Sequence, residues 1–271
     1  MVRRAAFKAT MMQAKSAVYY CKTAYEDLEF VSLSHVCFSY PKHCHVSSYT
    51  IGIVLEGKLS LHINQTETCY DTQNAFVIYP YEMHSLQSSG RYDMIVMSLK
   101  TSFVERYTLD EAKGIARHYI DILIASQLLD GASGDRILNE LPSLYAYHQH
   151  KKSHQPFAII KDFLETYPEE SIDVAHLSRF SAMSKYHFIR KFDESIGMTP
   201  HQFQIQNRVR KAKGLLEETV SMTEVGLNAG FYDQSHFIRN FKHLYQISPS
   251  SYKAACIHLD ELAQSGKKLR K

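Results

Sequence analysis

The 271-residue chain contains no stretch of about 18 consecutive apolar residues, so it offers no membrane-spanning helix. No secretory leader is expected either, because Arg3 and Arg4 have no continuous apolar run behind them. The five cysteines, Cys21, Cys37, Cys44, Cys69 and Cys256, form no C-x-x-C pair. An odd count without a leader argues against a disulfide framework and for reduced thiols. A cytoplasmic protein is the expectation. Charge is sparse at 22%, while 45% apolar content is ordinary for a globular protein and argues against disorder. The charge is also uneven. Residues 1–150 carry 13 basic against 15 acidic side chains, and residues 151–271 carry 18 against 13. A basic module that pairs with phosphates, joined to a near-neutral one, fits this split, although a charge run is more often just a solvated face.

The chain does repeat itself. His187-Phe188-Ile189-Arg190-Lys191-Phe192 returns 49 residues later as His236-Phe237-Ile238-Arg239-Asn240-Phe241, and the register continues from Thr199-Pro200 to Ser248-Pro249 and from Phe203 to Tyr252. Each copy reads as a helix, a break and a second helix begun at proline. Phe188 and Phe192, like Phe237 and Phe241, sit four apart and share one buried face. The opposite faces offer Tyr186, Ile189 and Arg190 in one copy and Gln234, Ser235, Ile238 and Arg239 in the other, with Ser184 and Asp233 placed to cap the helix starts. Shorter helices precede both, from Ser171-Ile172-Asp173 to a turn at 181–183 and from Thr223 to Ala229 with a turn at Gly230-Phe231. This is the helix-turn-helix pattern, whose second helix enters the DNA major groove. Between the copies, His201 to Glu217 reads as one helix with Ile205, Val209, Ala212 and Leu216 in register, a spacer rod of roughly 24 Å. Ahead of both, Pro156 opens a packing helix with Phe157, Ile160, Phe163 and Leu164 on one face.

From Leu28 to Leu99 short alternating strands without intervening helices predict a jelly-roll or similar small barrel, with Glu56-Gly57-Lys58 as a hairpin turn. His43-x-His45 points two imidazoles to one side of a strand, and His84 from a distant strand could join them. Three readings stand open: a metal site, contacts to an organic ligand, or hydrogen-bonded histidines that only hold the barrel together. The carboxylate usual a few residues past such a pair is missing, with Ser48 and Tyr49 in its place, and Cys44 between the histidines should face the other way. Beyond the barrel, Ile115, Tyr119 and Leu123, then Ile137, Leu138, Leu141, Leu144 and Tyr145, follow helical spacing and would pack either on the barrel or on a twin in a second subunit.

His43-x-His45-x3-Tyr49-x-Ile51-Gly52-x2-Leu55-Glu56-Gly57, followed by Tyr79-Pro80-x3-His84-Ser85, resembles the cupin-type sensor domain of AraC/XylS-family regulators. Gly230-Phe231, Ser235-His236-Phe237, Arg239, Phe241-Lys242, Pro249 and Tyr252, with Arg208-x3-Ala212-x2-Leu215-Leu216 in the connecting helix, resemble that family's DNA-binding domain. Gln246 stands where the family usually has glycine and Gly226 where it usually has alanine, both read as loosening the second unit locally.

The resemblance implies a multidomain α+β fold: an N-terminal cupin-like β-barrel with trailing helices and a C-terminal all-α domain with two helix-turn-helix units. The expected boundaries are a poorly patterned tail over 1–27, a barrel over 28–108, helices that could dimerise over 109–147, a linker over 148–155, the DNA-binding domain over 156–258 and a second tail over 259–271. By position, Ser184, Lys185, Tyr186, Ile189, Arg190, Gln234, Ser235, His236 and Arg239 would meet DNA, and His43, His45, Tyr49 and His84 would line an effector pocket. The implied protein is a transcription regulator, commonly an activator, with promoter DNA, RNA polymerase and a small effector as partners, a homodimer, and no membrane association. Neither catalysis nor a resident cofactor or metal is expected. A metal- or redox-sensing regulator using the three histidines and Cys44, or a cupin metalloenzyme fused to a DNA-binding module, are the alternatives.

Overall fold

The computed structural model describes residues 16–63, 65–150, 157–218, 221–266 and 268–269. Strands β1 (Ala17–Lys22), β2 (Leu28–Val36), β4 (Ser48–Glu56), β7 (Ala75–Ile78) and β9 (Tyr92–Lys100) lie in one sheet, while β3 (Tyr40–His43), β5 (Lys58–Ile63), β6 (Thr66–Asp71) and β8 (His84–Ser88) form a second. Side chains alternating along the strands close the two sheets over Leu33, Val54, Leu61, Phe76 and Leu86, which gives the expected cupin-like barrel.

Strand β4 explains much of the layout. Tyr49, Ile51 and Ile53 join the cluster under the trailing helices, whereas Val54 joins the barrel interior, so odd and even positions serve different cores. The Glu56-Gly57-Lys58 turn is not the hairpin its composition suggests. Strands β4 and β5 belong to different sheets, and Gly57, at φ +87° with the Arg91 carbonyl 2.5 Å from where a Cβ would stand, is the corner between them. The local hairpin is β5–β6, paired from Lys58↔Asp71 to Ile63↔Thr66.

Helices α1 (Thr101–Arg106), α2 (Leu109–Ala125) and α3 (Gly131–His150) follow, α2 starting at a Thr108/Glu111 capping box. Their apolar stripes, Ala116, Tyr119, Leu123, Ile137, Leu141 and Leu144 among them, are buried against the six-stranded sheet of the same chain. That answers the question left open by periodicity in favour of the barrel. His148 and His150, read as linker, instead complete α3, and 151–155 lie outside the described residues.

The second half is helical: α4 (Ala158–Thr166), α5 (Val174–Phe180), α6 (Lys185–Ile196), α7 (Pro200–Glu218), α8 (Met222–Asn228), α9 (Gln234–Tyr245) and α10 (Pro249–Ala255). On α4 the buried residues are Ile160, Lys161 and Leu164, while Phe163 points away, 40% exposed. Positions 157, 160, 161 and 164 share a helical stripe and 163 stands off it.

Both presumed tails carry structure. Strand β1 lies inside the stretch expected to be a tail, and the chain ends by returning to it. Strand β10 (Cys256–His258) pairs in parallel with β1, Tyr20↔Cys256 to Lys22↔His258, and α11 (Leu259–Ser265) sets Leu259 and Leu262 into the barrel's outer cluster. The DNA-binding half is thus joined to the barrel sheet by main-chain pairing.

Candidate nucleic-acid interface and ligand pocket

Each reader helix is set by its cap and its aromatic back. Ser184 Oγ accepts from the His187 amide and Asp233 from the His236 amide, so both helices start one residue after the predicted cap. Phe188 and Phe192 pack with Phe203 and Leu164; Phe237 and Phe241 pack with Val209, Leu216 and Tyr252. Gly197 ends α6 at φ +85° as expected. Gln246 ends α9 in the same left-handed conformation, at φ +61°, where a side chain costs more than glycine would. Gly226 has a reason of its own. A Cβ there would stand 3.2 Å from Phe237 Cβ, so the glycine lets α8 close onto α9 rather than loosening the unit.

The outward faces mostly follow the sequence. Lys185, Arg190, Gln234, Ser235 and Arg239 are exposed, and Tyr186 is 85% exposed. Arg190 makes a 3.6 Å ion pair with Glu194 one turn on, a solvent-screened contact that phosphate or a base edge can displace. Gln234 accepts from the Thr223 hydroxyl at 3.0 Å, which fixes its amide at the lip of the unit. Two positions depart. His236 is half-buried, edge-on to Phe231 with ring centroids 5.4 Å apart. Ile189 is half-buried at the border of the first aromatic core. Sequence reading missed Tyr232, 90% exposed just before the α9 cap, and Phe180, 63% exposed at the end of α5.

The histidines converge. His43 and His84 are cross-strand partners, and one ring nitrogen from each of His43, His45 and His84 lies within 4.8 Å of the others. Ring centroids are 4.2 Å (His43–His84), 4.8 Å (His45–His84) and 5.3 Å (His43–His45) apart. His43 Nδ1 is 2.7 Å from the Pro41 carbonyl and His84 Nδ1 is 2.9 Å from the Glu82 carbonyl. A carbonyl can only accept, so both Nδ1 atoms carry a proton, and in the neutral ring Nε2 is then the nitrogen with the lone pair. His45 Nδ1 lies 2.7 Å from Thr50 Oγ1, which can accept in the same way. Burial, aided by the neighbouring imidazoles, holds His45 well below the usual histidine range and pushes His84 down to about 3, and burial likewise lowers His43. Three neutral imidazoles result.

Tyr49 does not join them. It sits on the odd-numbered side of β4, with its hydroxyl 2.7 Å from His148 Nδ1 on α3, and the residue that faces the histidines is Thr50. A one-residue step along a strand exchanges its two faces. Cys44 also faces away, as expected, and is buried, which pushes its thiol up.

What Cys44 faces is the DNA-binding half. Its amide donates to Gln206 Oε1 (3.1 Å) and its carbonyl accepts from Gln206 Nε2 (2.7 Å), so one side chain on α7 satisfies both main-chain groups between the two histidines. Met83, next to His84, packs on Gly197 at the end of α6, its Cγ 2.3 Å from where a Cβ would stand. Tyr81, at φ +67°, donates its amide to the His45 carbonyl (2.7 Å) and its hydroxyl to Glu165 on α4 (3.0 Å), and its ring lies 3.3 Å beneath the Lys161 ammonium. The connecting helix α7 is therefore also a docking surface, which is why it buries Gln206 besides its apolar stripe. Gln206→Leu should leave the Cys44 amide and carbonyl buried without partners, lowering unfolding free energy by about 1–3 kcal/mol in urea titrations.

Comparison with known proteins agrees with this architecture. Residues 27–160 match the AraC-like ligand binding domain and residues 177–255 match a helix-turn-helix domain. The chain is 27% identical over 214 residues to a probable transcriptional regulator, LumQ, of Photobacterium leiognathi, covering 73% of this chain and 86% of that one. Over 87 residues it is 33% identical to the transcriptional regulator MtrA of Neisseria gonorrhoeae, covering 32% of this chain and 29% of that one. Among solved structures, ToxT of Vibrio cholerae has a TM-score of 0.57 at 12% identity, over 85% of this chain and 98% of that one, so the two share a fold. With a barrel joined to two reader helices and both matching domains in the same order, the chain belongs to the AraC family of DNA-binding transcriptional regulators.

Proposed function

We propose that the barrel is an effector sensor whose occupancy sets how firmly the two helix-turn-helix units are held, and so controls grip on a bacterial promoter. The observation that supports this is the interleaving at the histidine cluster. His43, His45 and His84 converge on one another, while Cys44 and Met83, their sequence neighbours, bind α7 and the end of α6. A ligand that moves the histidines must move the residues that grip the DNA-binding half, which gives the differential contact that a change of state requires. A structure of ToxT, similar in fold, has been solved with an unsaturated fatty acid bound, and a barrel ligand in this chain would play the same part. Action in the cytoplasm, homodimerisation, contact with RNA polymerase and activation complete the reading; no helix among the described residues is long and apolar enough to cross a membrane. Because α2 and α3 already bury their stripes on their own barrel, a dimer would use other faces.

At the DNA, Arg190 and Arg239 are the base readers, each able to pair bidentately with guanine; Gln234 suits adenine, and Lys185, Ser184 and Ser235 suit phosphate. Arg239→Ala or Arg190→Ala should cost about 1–3 kcal/mol at the specific site and relax preference at one base position, measured by fluorescence anisotropy against operator variants. An equal loss on every sequence would reduce both arginines to phosphate contacts. Affinity should also fall steeply with salt.

A further inference from the structure

We propose that the three-histidine cluster is a divalent transition-metal site, and that a borderline cation such as Zn²⁺ or Co²⁺ is the effector this barrel takes. The inference rests on the sensor reading and names its ligand class. Three features of the cluster carry it.

The first is the arrangement of the donors. Two Nδ1–H groups are fixed on main-chain carbonyls, those of Pro41 and Glu82, and the third ring leans on the Thr50 hydroxyl. This is how metal-binding histidines are oriented: the outer nitrogen is held by an acceptor, which sets the tautomer and turns the Nε2 lone pair toward the ion. The hydrogen bonds of all three rings run through Nδ1.

The second is the spacing. Three ring nitrogens within 4.8 Å of one another need to close by only about an ångström each to meet a common ion at the usual 2.0–2.1 Å, and a water or anion can fill the fourth place.

The third is the chemistry of the set. Three imidazoles and no carboxylate select zinc, copper, nickel, cobalt or ferrous iron over magnesium or calcium, which need oxygen ligands. Tyr49 is turned away to His148 and adds no phenolic ligand to the three imidazoles. The route from the cluster to the DNA-binding half favours a cation held as a signal. Drawing His43, His45 and His84 together pulls on the Cys44–Gln206 clasp and on Met83 against Gly197.

A second cluster, His35, Glu56 and Asp93, is a weaker candidate. Asp93 is already engaged by the His35 amide at 2.6 Å and the Ser34 hydroxyl at 3.1 Å.

The test uses the full-length protein stripped with a chelator and titrated with Co²⁺ and Zn²⁺. Bound metal is counted by atomic emission, and the Co²⁺ site is followed by its visible d–d absorption. The expected result is one ion per chain, with affinity falling by about a hundredfold or more in His84→Ala and His45→Ala and unchanged in Cys44→Ser and His150→Ala. Far-ultraviolet circular dichroism confirms folding, and His84→Asn replaces His84→Ala should the latter not fold. Absence of a stoichiometric ion, or an ion retained with equal affinity when His45 and His84 are replaced, overturns the proposal. Operator affinity with and without metal separates the two readings. If metal binds but affinity for selected DNA stays fixed, the coupling falls and the metal site stands. If no metal binds but an organic metabolite raises the melting temperature and changes DNA affinity, the sensor stands and the metal site falls.

Discussion

Replacing Lys213 with methionine is expected to lower the unfolding free energy by about 3 kcal/mol, the low end of the range for breaking a buried ion pair. Lys213 lies on α7 and reaches across to Glu29 on β2 at 2.5 Å; Lys22 on β1 meets the same carboxylate at 2.9 Å and Glu217 at 2.5 Å. The four charges lie between barrel and connecting helix, with Lys22, Glu29 and Lys213 each less than a fifth exposed. Removing one ammonium leaves Glu29 buried with Lys22 alone, which is why the cost falls at the low end of that range. The pH dependence follows from the same contacts. Burial alone would raise the Glu29 carboxyl, but Lys213 and Lys22 outweigh it and hold the group below the usual glutamate range. Its stabilising contribution is therefore complete above the unfolded value of about 4.3 and is lost as pH falls through the lower folded value. For Lys213, burial works against the charge, but Glu29 more than offsets it and holds the ammonium above the usual lysine range. That contribution is complete below the unfolded value of about 10.4 and lost as pH rises through the folded one. Urea titrations between pH 3 and 7 should show a steeper acid limb in the native protein than in Lys213→Met. Parallel limbs would mean that the cluster does not join the two halves.

The parts of this molecule that could be read from residues alone are those where burial is one-sided. The paired hexapeptides repeat because each reader helix buries one aromatic stripe and exposes the other face, and that contrast is written in the spacing of Phe188/Phe192 and Phe237/Phe241. Strand β1 was passed over for the opposite reason. Val18 and Tyr20 pack toward the DNA-binding half while Tyr19 and Cys21 pack toward the helices over the barrel, so no polar face alternates with the apolar one. Strand β10 is three residues long and exists only because β1 offers it an edge. Gly57 carries the local signature of a turn, but whether the chain then pairs with its predecessor or crosses to the other sheet depends on distant partners. The histidine cluster was legible as a juxtaposition through the two-residue strand period, and the same period, applied one residue more strictly, would have assigned Thr50 in place of Tyr49. His236 could not be judged from its place in the hexapeptide. Its counterpart His187 is exposed, and only the ring of Phe231 turns His236 inward.

The aromatic core behind the second reader supports the other large expected effect. Phe241→Ala should destabilise the protein by about 3–5 kcal/mol, as deletion of a fully buried phenylalanine does where neighbours cannot collapse into the space. Phe241 is 0% exposed, and its ring lies 4.7 Å from Tyr245, 5.6 Å from Tyr252 and 5.8 Å from Phe237. Those rings are themselves held. Tyr252 meets Tyr20 of β1 edge-on at 4.5 Å, and its hydroxyl donates to Glu217 at 3.3 Å, so the cavity would open in a cluster that spans both halves. The consequence for DNA should be local. Without Phe241 the α9 face bearing Gln234 and Arg239 loses its backing, while α6, whose Phe188 and Phe192 pack with Phe157 and Phe203, keeps its own. Footprints of Phe241→Ala on a selected operator should retain protection over the half contacted by α6 and lose it over the half contacted by α9, with Phe192→Ala giving the mirror result. Loss of both halves together in either variant would mean that the two units grip DNA only as one rigid body.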